Sequence, residues 1–203
     1  MKLRYSPTSP YVRKVSVTAI ETGLKTAIEQ VPTNVWDPST DIHMSNPLGK
    51  VPALVTLDNM TLYDSPVICE HLDSLHDGPK LFPTEGLARW TALCQQALAD
   101  GILDAAILRL LERRRPEEVM RSETWMERQR SVVVRALNTL EDEVEALSGN
   151  ITIGQISVGC ALAYLDFRYV DEDWRPGRPI LAEWFEAFDQ RPSMTATVPK
   201  DPT

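Results

Sequence analysis

Three hydroxyl side chains near the amino terminus have residue types and spacing suited to thiol chemistry. Ser6, Thr8 and Ser9 follow a short predicted strand and precede a run with helical spacing of apolar residues. A hydroxyl at such a turn lies beside the unpaired amides of the helix start, where the potential is positive. A donor there favours thiolate over thiol, and about 1.36 kcal/mol of preference lowers a thiol pKa by one unit. The same hydroxyls could serve only as helix caps.

A second candidate binding element is the sequence Asp64-Ser65-Pro66. Ser65 suits a helix cap and Pro66 suits the first helical position, so a helix is predicted to begin here. The free amides of a helix start favour an anion, whereas the Asp64 carboxylate beside them favours a cation. This pair of sites matches the α-amino acid end of a peptide-like ligand, although a plain capped helix uses the same residues.

A strand edge is predicted between these two elements, at Pro52. The segment from Val51 to Leu57 has strand composition, and proline is tolerated at the first residue of a strand, which need not donate to the ladder. From the residues alone the Val51-Pro52 bond is expected to be trans, because only about 5–6% of X-Pro bonds in folded proteins are cis.

The order of predicted elements favours an α/β domain followed by an all-α domain. The first part reads as strand 2–5, helix 11–22, strand 27–31, a loop or irregular helix at 32–47, strands 53–57 and 61–63, and a helix from Ser65. This order fits a thioredoxin-like fold. Glycine and two prolines around 77–83 mark a connection, and the segments after it read as helical. We therefore predict a thioredoxin-like domain at 1–77, a linker at 78–84 and an all-helical domain at 85–203.

One helix start in the second domain is interpreted as structural. Thr152 and Gln155 have the spacing of a capping box, and Ile151 can pack on Ile156 as a hydrophobic staple. A single helix is predicted from Trp125 to Leu147.

Composition argues against several classes of partner. The net charge of -8 disfavours a nucleic-acid or anionic-membrane surface, because both need clustered Lys and Arg. No apolar run approaches the roughly 20 residues of a membrane helix, so we expect a cytoplasmic protein.

The cysteines and histidines suggest neither a redox pair nor a metal site. Cys69, Cys94 and Cys160 form no Cys-x-x-Cys pair and are interpreted as buried apolar residues. The three histidines lack metal-ligand spacing, so no metal site is expected.

Four segments together resemble a known family. They are Ser-Pro-Thr-Ser-Pro-Tyr-Val-Arg-Lys-Val at 6–15, Asn-Pro-Leu-Gly-Lys-Val-Pro-Ala-Leu at 46–54, Asp64-Ser65, and Thr-Ile-Gly-Gln at 152–155. Their order and spacing are similar to those of the soluble, cytosolic-type glutathione S-transferases, particularly bacterial members with serine or threonine after the first strand. The resemblance covers nearly the whole chain. It implies a homodimeric detoxification enzyme that activates glutathione as a thiolate for attack on a small hydrophobic electrophile.

The resemblance also implies which hydroxyl contacts the glutathione sulfur. Ser9 begins a serine-proline-aromatic run like that of the family and is the first candidate. Ser6 matches the catalytic serine under another alignment, and Thr8 is a third possible donor. Tyr5 is a competing donor by analogy with branches that use tyrosine, but its place in a strand favours a packing role.

Further glutathione contacts follow from the resemblance. Val51, before a Pro52 that is then expected to be cis, would pair its backbone with the cysteinyl backbone of glutathione. Lys50 would meet the glycine carboxylate, and Asp64 with Ser65 would hold the γ-glutamyl group. The family more often has glutamate or glutamine in place of Asp64, so the reach of this side chain is shorter here.

Two other functions are compatible with the same pattern. The first is a glutathione-dependent disulfide or peroxide reductase, or an isomerase. Ser9 stands where relatives that form mixed disulfides carry cysteine, which weighs against that mechanism. The second is a non-enzymatic glutathione-binding protein, because fold does not dictate function.

Overall fold

The computed structural model describes residues 1–201 and divides into two compact units. The first unit comprises residues 1–84 together with the segment from Arg191 onward, and the second comprises residues 85–190. A small sheet with helices forms the first unit, and helices form the second. This architecture confirms the predicted fold class, a thioredoxin-like domain followed by an all-helical domain.

The first unit is built on a four-stranded sheet of order β2-β1-β3-β4. Strand β1 (Lys2–Tyr5) is parallel to β2 (Glu29–Pro32) and antiparallel to β3 (Ala53–Val55), which is antiparallel to β4 (Thr61–Leu62). Helices α1 (Pro10–Glu21) and α3 (Ser65–Ser74) pack on each other. The connection from β2 to β3 contains a one-turn helix, α2 (Ile42–Ser45), within the segment predicted as a loop or an irregular helix. Four residues are too few to show helical periodicity.

The closing segment packs on α1 through a short helix, α8 (Pro192–Thr195). Arg191 donates to both carboxylate oxygens of Glu21, at 3.0 and 2.9 Å, and Ser193 donates to one of them. Burial alone would raise the pKa of the Glu21 carboxyl, but these donors outweigh burial and lower that pKa below its ordinary value. The chain from Arg191 onward therefore belongs to the first unit, although the sequence pattern alone predicts it in the second.

The second unit contains four helices within residues 85–190. They are α4 (Gly86–Arg113), α5 (Glu123–Asp142), α6 (Ile153–Arg168) and α7 (Pro179–Asp189). The predicted helix from Trp125 to Leu147 is wrong at its end, because α5 stops at Asp142 and a 3-10 turn covers Val144–Leu147. Helix α6 is buried from Ile153 to Leu165 and packs mainly on α4.

The start of α6 confirms the predicted capping box. Gln155 Oε1 accepts the Thr152 amide at 2.7 Å, and Gln155 Nε2 donates to the Leu147 carbonyl at 2.6 Å. Gly154 lies so close to α4 that an added Cβ would be 2.3 Å from Gln95 Oε1 and 3.0 Å from the Ala92 carbonyl oxygen. Gly154 therefore allows the two helices to approach at the capped start.

The cysteine prediction is partly wrong. Cys69 and Cys160 are buried, but Cys94 is exposed on α4. Apolar residues occur on most sides of α4, so the sequence pattern does not separate its solvent face from its packed face.

Across residues 1–201, no group of three or more His, Cys, Asp or Glu residues is arranged to hold a metal ion. None of the described helices is long and apolar enough to cross a bilayer.

Candidate functional site

Three loops emerge at one edge of the sheet because of the strand register. Arg4 pairs with Ala53 and Leu54 pairs with Leu62, in antiparallel ladders. The end of β1, the start of β3 and the end of β4 therefore lie side by side. Neighbouring strands are about 4.8 Å apart, so the turn after β1 and the helix start after β4 are separated by roughly 10 Å. This span is about the length of an extended tripeptide.

The turn after β1 carries the three candidate hydroxyls. Ser9 is the N-cap of α1, and its Oγ accepts the Val12 amide at 3.3 Å. The Ser9 amide donates to the Ser6 carbonyl at 3.2 Å, which closes the turn. The Ser6 and Thr8 hydroxyls lie 3.3 Å apart and hydrogen-bond to each other. All three residues are partly exposed.

These bonds leave the Ser9 hydroxyl proton available. A serine hydroxyl has one donor and two acceptor positions. The Ser9 oxygen uses an acceptor position for the Val12 amide, and its proton has no assigned acceptor among the described residues. The bond from the helix amide also polarises the hydroxyl toward donation. Ser9 can therefore donate to an anion that binds at the start of α1.

The loop before β3 is organised by Asn46, whose side chain is almost fully buried at 1% exposure. Asn46 Nδ2 donates to the Lys50 carbonyl at 2.8 Å, and Asn46 Oδ1 accepts the Leu48 amide at 3.0 Å. Gly49 adopts a positive φ of 66° within this loop, a conformation that glycine tolerates best. The loop places the exposed Lys50 and the cis Val51-Pro52 bond directly before the start of β3.

The third loop ends at the start of α3. Asp64 is the N-cap residue but makes no side-chain capping bond, and it is exposed. Ser65 is the first helical residue and is 1% exposed, so the prediction that Ser65 caps the helix is wrong. Since the Asp64 carboxylate does not occupy the α3 amides, it is open to a cation on a ligand. The Tyr63-Asp64 bond is cis.

The structure thus places the predicted residues in three neighbouring loops. Ser6, Thr8 and Ser9 lie in the first, Lys50, Val51 and Pro52 in the second, and Asp64 in the third, directly before Ser65 at the start of α3. Asn46 begins the 46–54 segment that resembles the family, but no role was predicted for it from the sequence. Its signal is the turn-favouring spacing Asn46-x-x-Gly49, which indicates side-chain to backbone bonding in a tight loop.

Comparison with known proteins gives consistent matches over nearly the whole chain. The domain description "Glutathione S-transferase, N-terminal domain" matches residues 8–75, and its C-terminal counterpart matches residues 123–187. The uncharacterized GST-like protein YibF of Escherichia coli strain K12 is 35% identical, with 98% of each chain covered.

Two solved structures from Pseudomonas fluorescens Pf-5 are also similar. A glutathione transferase family member with bound glutathione is 43% identical, with a TM-score of 0.94, and covers 98% of this chain and 99% of that one. A structure with bound S-(propanoic acid)-glutathione is 43% identical, with a TM-score of 0.91, and covers 99% and 100%. Both the sequence and the fold of these relatives are shared along nearly their full length. This chain therefore belongs to the glutathione S-transferase family.

Proposed function

We propose that this protein is a serine-type glutathione transferase, in which the Ser9 hydroxyl donates a hydrogen bond to the glutathione sulfur. The observation that carries the proposal is the arrangement of bonds at the turn after β1. The Ser9 oxygen accepts from Val12, whereas Ser6 and Thr8 bond to each other. The Ser6–Thr8 bond uses only one of the two protons of that pair. Ser9 is favoured because it is the N-cap residue of α1, where the Val12 amide polarises its hydroxyl toward donation. Its position at a helix start adds a positive potential that favours thiolate.

Binding would use the other two loops. The cysteinyl backbone of glutathione pairs with the backbone of Val51, which lies just outside the β3 ladder, as an added strand pairs with a sheet edge. The γ-glutamyl ammonium faces the exposed Asp64 carboxylate, and its carboxylate lies at the α3 amides near Ser65. The glycine carboxylate reaches Lys50. This placement puts the sulfur between the second loop and the Ser9 turn.

The reaction follows from thiolate formation. Glutathione releases its thiol proton to solvent on binding, and Ser9 and the helix start stabilise the resulting sulfur anion. The sulfur then forms a bond to an electrophilic carbon, and either a leaving group departs or an unsaturated carbon accepts a proton. Ser9 is neither alkylated nor consumed. The relative solved with S-(propanoic acid)-glutathione supports this reaction class, because that ligand has a carbon substituent on sulfur.

A homodimer is part of the proposal and has support in the second unit. Leu87 and Trp90 on α4 are 81% and 63% exposed, which is unusual for large apolar side chains. Together with Leu98 and Leu140 they line a shallow cavity of about 370 Å³. Covering this surface with a second copy would remove it from water.

We also propose a cytoplasmic location. Cys69, Cys94 and Cys160 form no disulfide, which fits a reducing compartment.

A pH titration of bound glutathione tests the function directly. Thiolate absorbance and bound fraction are followed together from about pH 5 to pH 10, with free glutathione as reference. We expect the bound thiol pKa to lie well below its ordinary value near 8.5. Binding without a lowered pKa would contradict the transferase and favour a carrier. Faster turnover of a glutathionyl disulfide than of every electrophile tested would favour the reductase instead.

Variants of the three hydroxyls test the assignment to Ser9. Ser9→Ala should raise the bound thiol pKa by about one unit or more and lower turnover at least about tenfold, with little change in glutathione affinity. Ser6→Ala and Thr8→Val are matched controls, because each removes one hydroxyl of the same turn. If either control raises the thiol pKa more than Ser9→Ala does, the donor is that residue and the Ser9 assignment fails.

A further inference from the structure

The second unit contains a small polar cavity between the end of α4 and the start of α5. Its volume is about 310 Å³, at the lower end of the range for small-molecule sites, about 300–1,000 Å³. The charged residues that line it are Arg109, Arg113, Arg121, Glu123, Glu127 and Arg130. No residue of the proposed glutathione site is among its lining residues, so the two sites have no side chain in common.

Helical periodicity places the lining residues on two facing helix surfaces. Arg109 and Arg113 are four residues apart on α4, so they lie on one face of that helix. The α5 residues that line the cavity, between positions 123 and 130, repeat every three or four residues and also share a face. Because α4 packs on α5, these two faces enclose the cavity.

The two α4 arginines are held by residues outside the cavity lining. Arg109 is 5% exposed, and its Nη2 donates to both carboxylate oxygens of Glu172, at 2.9 and 2.8 Å. Arg113 Nη2 also donates to Glu172. Both guanidinium groups lie over the Tyr169 ring, at 4.6 and 4.9 Å from its centroid. Burial alone would raise the pKa of the Glu172 carboxyl, but the arginine donors outweigh burial and lower that pKa. Both guanidinium groups are therefore fixed before any ligand binds.

Many N–H donors of this cluster have no acceptor among the described residues. A guanidinium has five N–H donors, and Glu172 engages one nitrogen each of Arg109 and Arg113. The Arg109 Nε is buried without a hydrogen-bond partner within residues 1–201, although buried donors normally have one. Arg121 uses Nε and Nη2 for the Arg115 carbonyl, at 3.3 and 3.1 Å, which leaves its Nη1 open. The cluster thus retains donors for an anionic ligand.

Positive charge in the cluster exceeds the charge of its acidic neighbours. Arg130 Nε lies 3.8 Å from Glu172 Oε2, so three arginines share this one carboxylate. Four arginines and two glutamates line the cavity, and the arginines remain in excess when Glu172 is included. The whole chain, in contrast, has a net charge of -8. Like charges held this close repel one another, and a multivalent anion among them would relieve the repulsion.

The chemistry of the cavity favours phosphate over other anions. Met126 is the one apolar residue among the described residues of the lining, so the ligand should be compact and polar. A phosphate group carries up to two negative charges and three strong acceptor oxygens, and it can accept from guanidinium groups in several planes. A carboxylate has two oxygens in one plane, which Glu172 already supplies. We propose that this cavity binds a small phosphate-bearing anion, either free phosphate or a small phosphate monoester.

Calorimetric titration of the full chain with inorganic phosphate, glycerol 3-phosphate and succinate at constant ionic strength tests the ligand class. Succinate is a dianion of similar size to glycerol 3-phosphate, with carboxylates in place of phosphate. We expect saturable binding of a phosphate probe with a Kd below about 1 mM, at least about tenfold tighter than succinate. Tighter binding of glycerol 3-phosphate than of phosphate would indicate a monoester as ligand, and equal binding would indicate the phosphate group alone.

Two results would overturn the ligand class. They are equal affinity for succinate and the better phosphate probe, and no binding of either phosphate probe at about 10 mM. Binding should be the same with and without saturating glutathione. Displacement of the phosphate probe by glutathione would overturn the claim of a separate site.

A pair of variants at Met126 tests the location. Met126 is partly exposed and lines the cavity, and glutamate and glutamine there differ in charge but hardly in size. Met126→Glu should weaken binding of the phosphate probe at least about tenfold by placing a like charge beside it, whereas Met126→Gln should retain most of the affinity. Equal affinity in the two variants, with both folded by circular dichroism, would overturn the location.

Arginine variants give a second test that does not alter the methionine. Arg121→Gln and Arg130→Gln should each weaken phosphate binding about two- to fivefold, the range expected for partly exposed ion pairs. Arg128→Gln is the matched control, because Arg128 is exposed on α5 and does not line the cavity. Equal weakening by Arg128→Gln would show only a general charge effect and would contradict the site. Because every readout is phosphate binding, this inference and the transferase proposal can fail independently.

Discussion

The starts of α1 and α6 share a local design but differ in their surroundings. Each helix begins after a hydroxyl residue, Ser9 or Thr152, in the N-cap position. Ser9 is partly exposed and accepts one amide at 3.3 Å. Thr152 is tied to Gln155, which also holds the Leu147 carbonyl, and the helix behind it is buried. The α6 start is closed by its own side chains, whereas the α1 start retains a donor for a ligand.

This difference indicates where substitutions should affect stability and where they should affect glutathione chemistry. Polar groups that are already paired inside the protein mainly stabilise the fold. A donor that is preorganised but unpaired can instead stabilise charge on a bound molecule. Substitutions at the α6 start should therefore change unfolding, and those at the α1 start should change the thiol pKa.

The largest effect is expected from Gly154→Ala at the α6 start. An added Cβ would be 2.8 Å from Gln95 Cβ and 3.0 Å from the Ala92 carbonyl oxygen, so α4 and α6 must separate. We expect a loss of about 1–3 kcal/mol in the free energy of unfolding, measured by urea denaturation. Gly101→Ala is the matched control. Gly101 lies within α4, and nothing lies within 4 Å of a Cβ added there. That control should be neutral or stabilising.

Asn46→Ala could most readily contradict this comparison, because Asn46 is buried and also holds the loop of the proposed glutathione site. It removes two side-chain bonds at 2.8 and 3.0 Å, for a loss of about 2 kcal/mol in unfolding free energy. Because those bonds position Lys50 and Val51, glutathione affinity should also fall, as measured by calorimetry.

Asn34 is exposed, its side chain accepts the Trp36 amide, and it provides the control for Asn46. Asn34→Ala should leave both stability and glutathione affinity nearly unchanged. If Asn46→Ala lowers stability but leaves glutathione affinity intact, Asn46 supports the fold and does not position the ligand.

The smallest effect is expected from Thr152→Ala, the counterpart of Ser9→Ala. Loss of a cap residue costs about 1 kcal/mol, or roughly 2–4 °C in Tm for a chain of this size. The bound thiol pKa should stay unchanged in the folded variant, and Thr152→Ser should retain most of the stability. A raised thiol pKa in Thr152→Ala at a temperature where the protein is folded would remove the distinction between the two helix starts.

Much of the fold and the candidate site was accessible from local sequence signals. The helices at Pro10 and Ser65 have proline at an early helical position, and Thr152 has its capping partner three residues later. These signals depend on neighbours within one turn of helix, so they can be read without a structure. The cis state of Val51-Pro52 came from the family resemblance, since the residues alone favoured trans.

What the tertiary structure decided involves contacts between distant parts of the chain. Strand register brings the serine turn, Val51 and Asp64 to one edge, and the Glu21–Arg191 pair returns the closing segment to the first unit. Exposure of Cys94 likewise depends on which side of α4 is packed. The sequence by itself determined most of the elements and the capping box at Thr152, because those depend on local geometry. Only packing determined which side chains are buried, which donors stay open and where a cavity remains, because these depend on residues far apart in the chain.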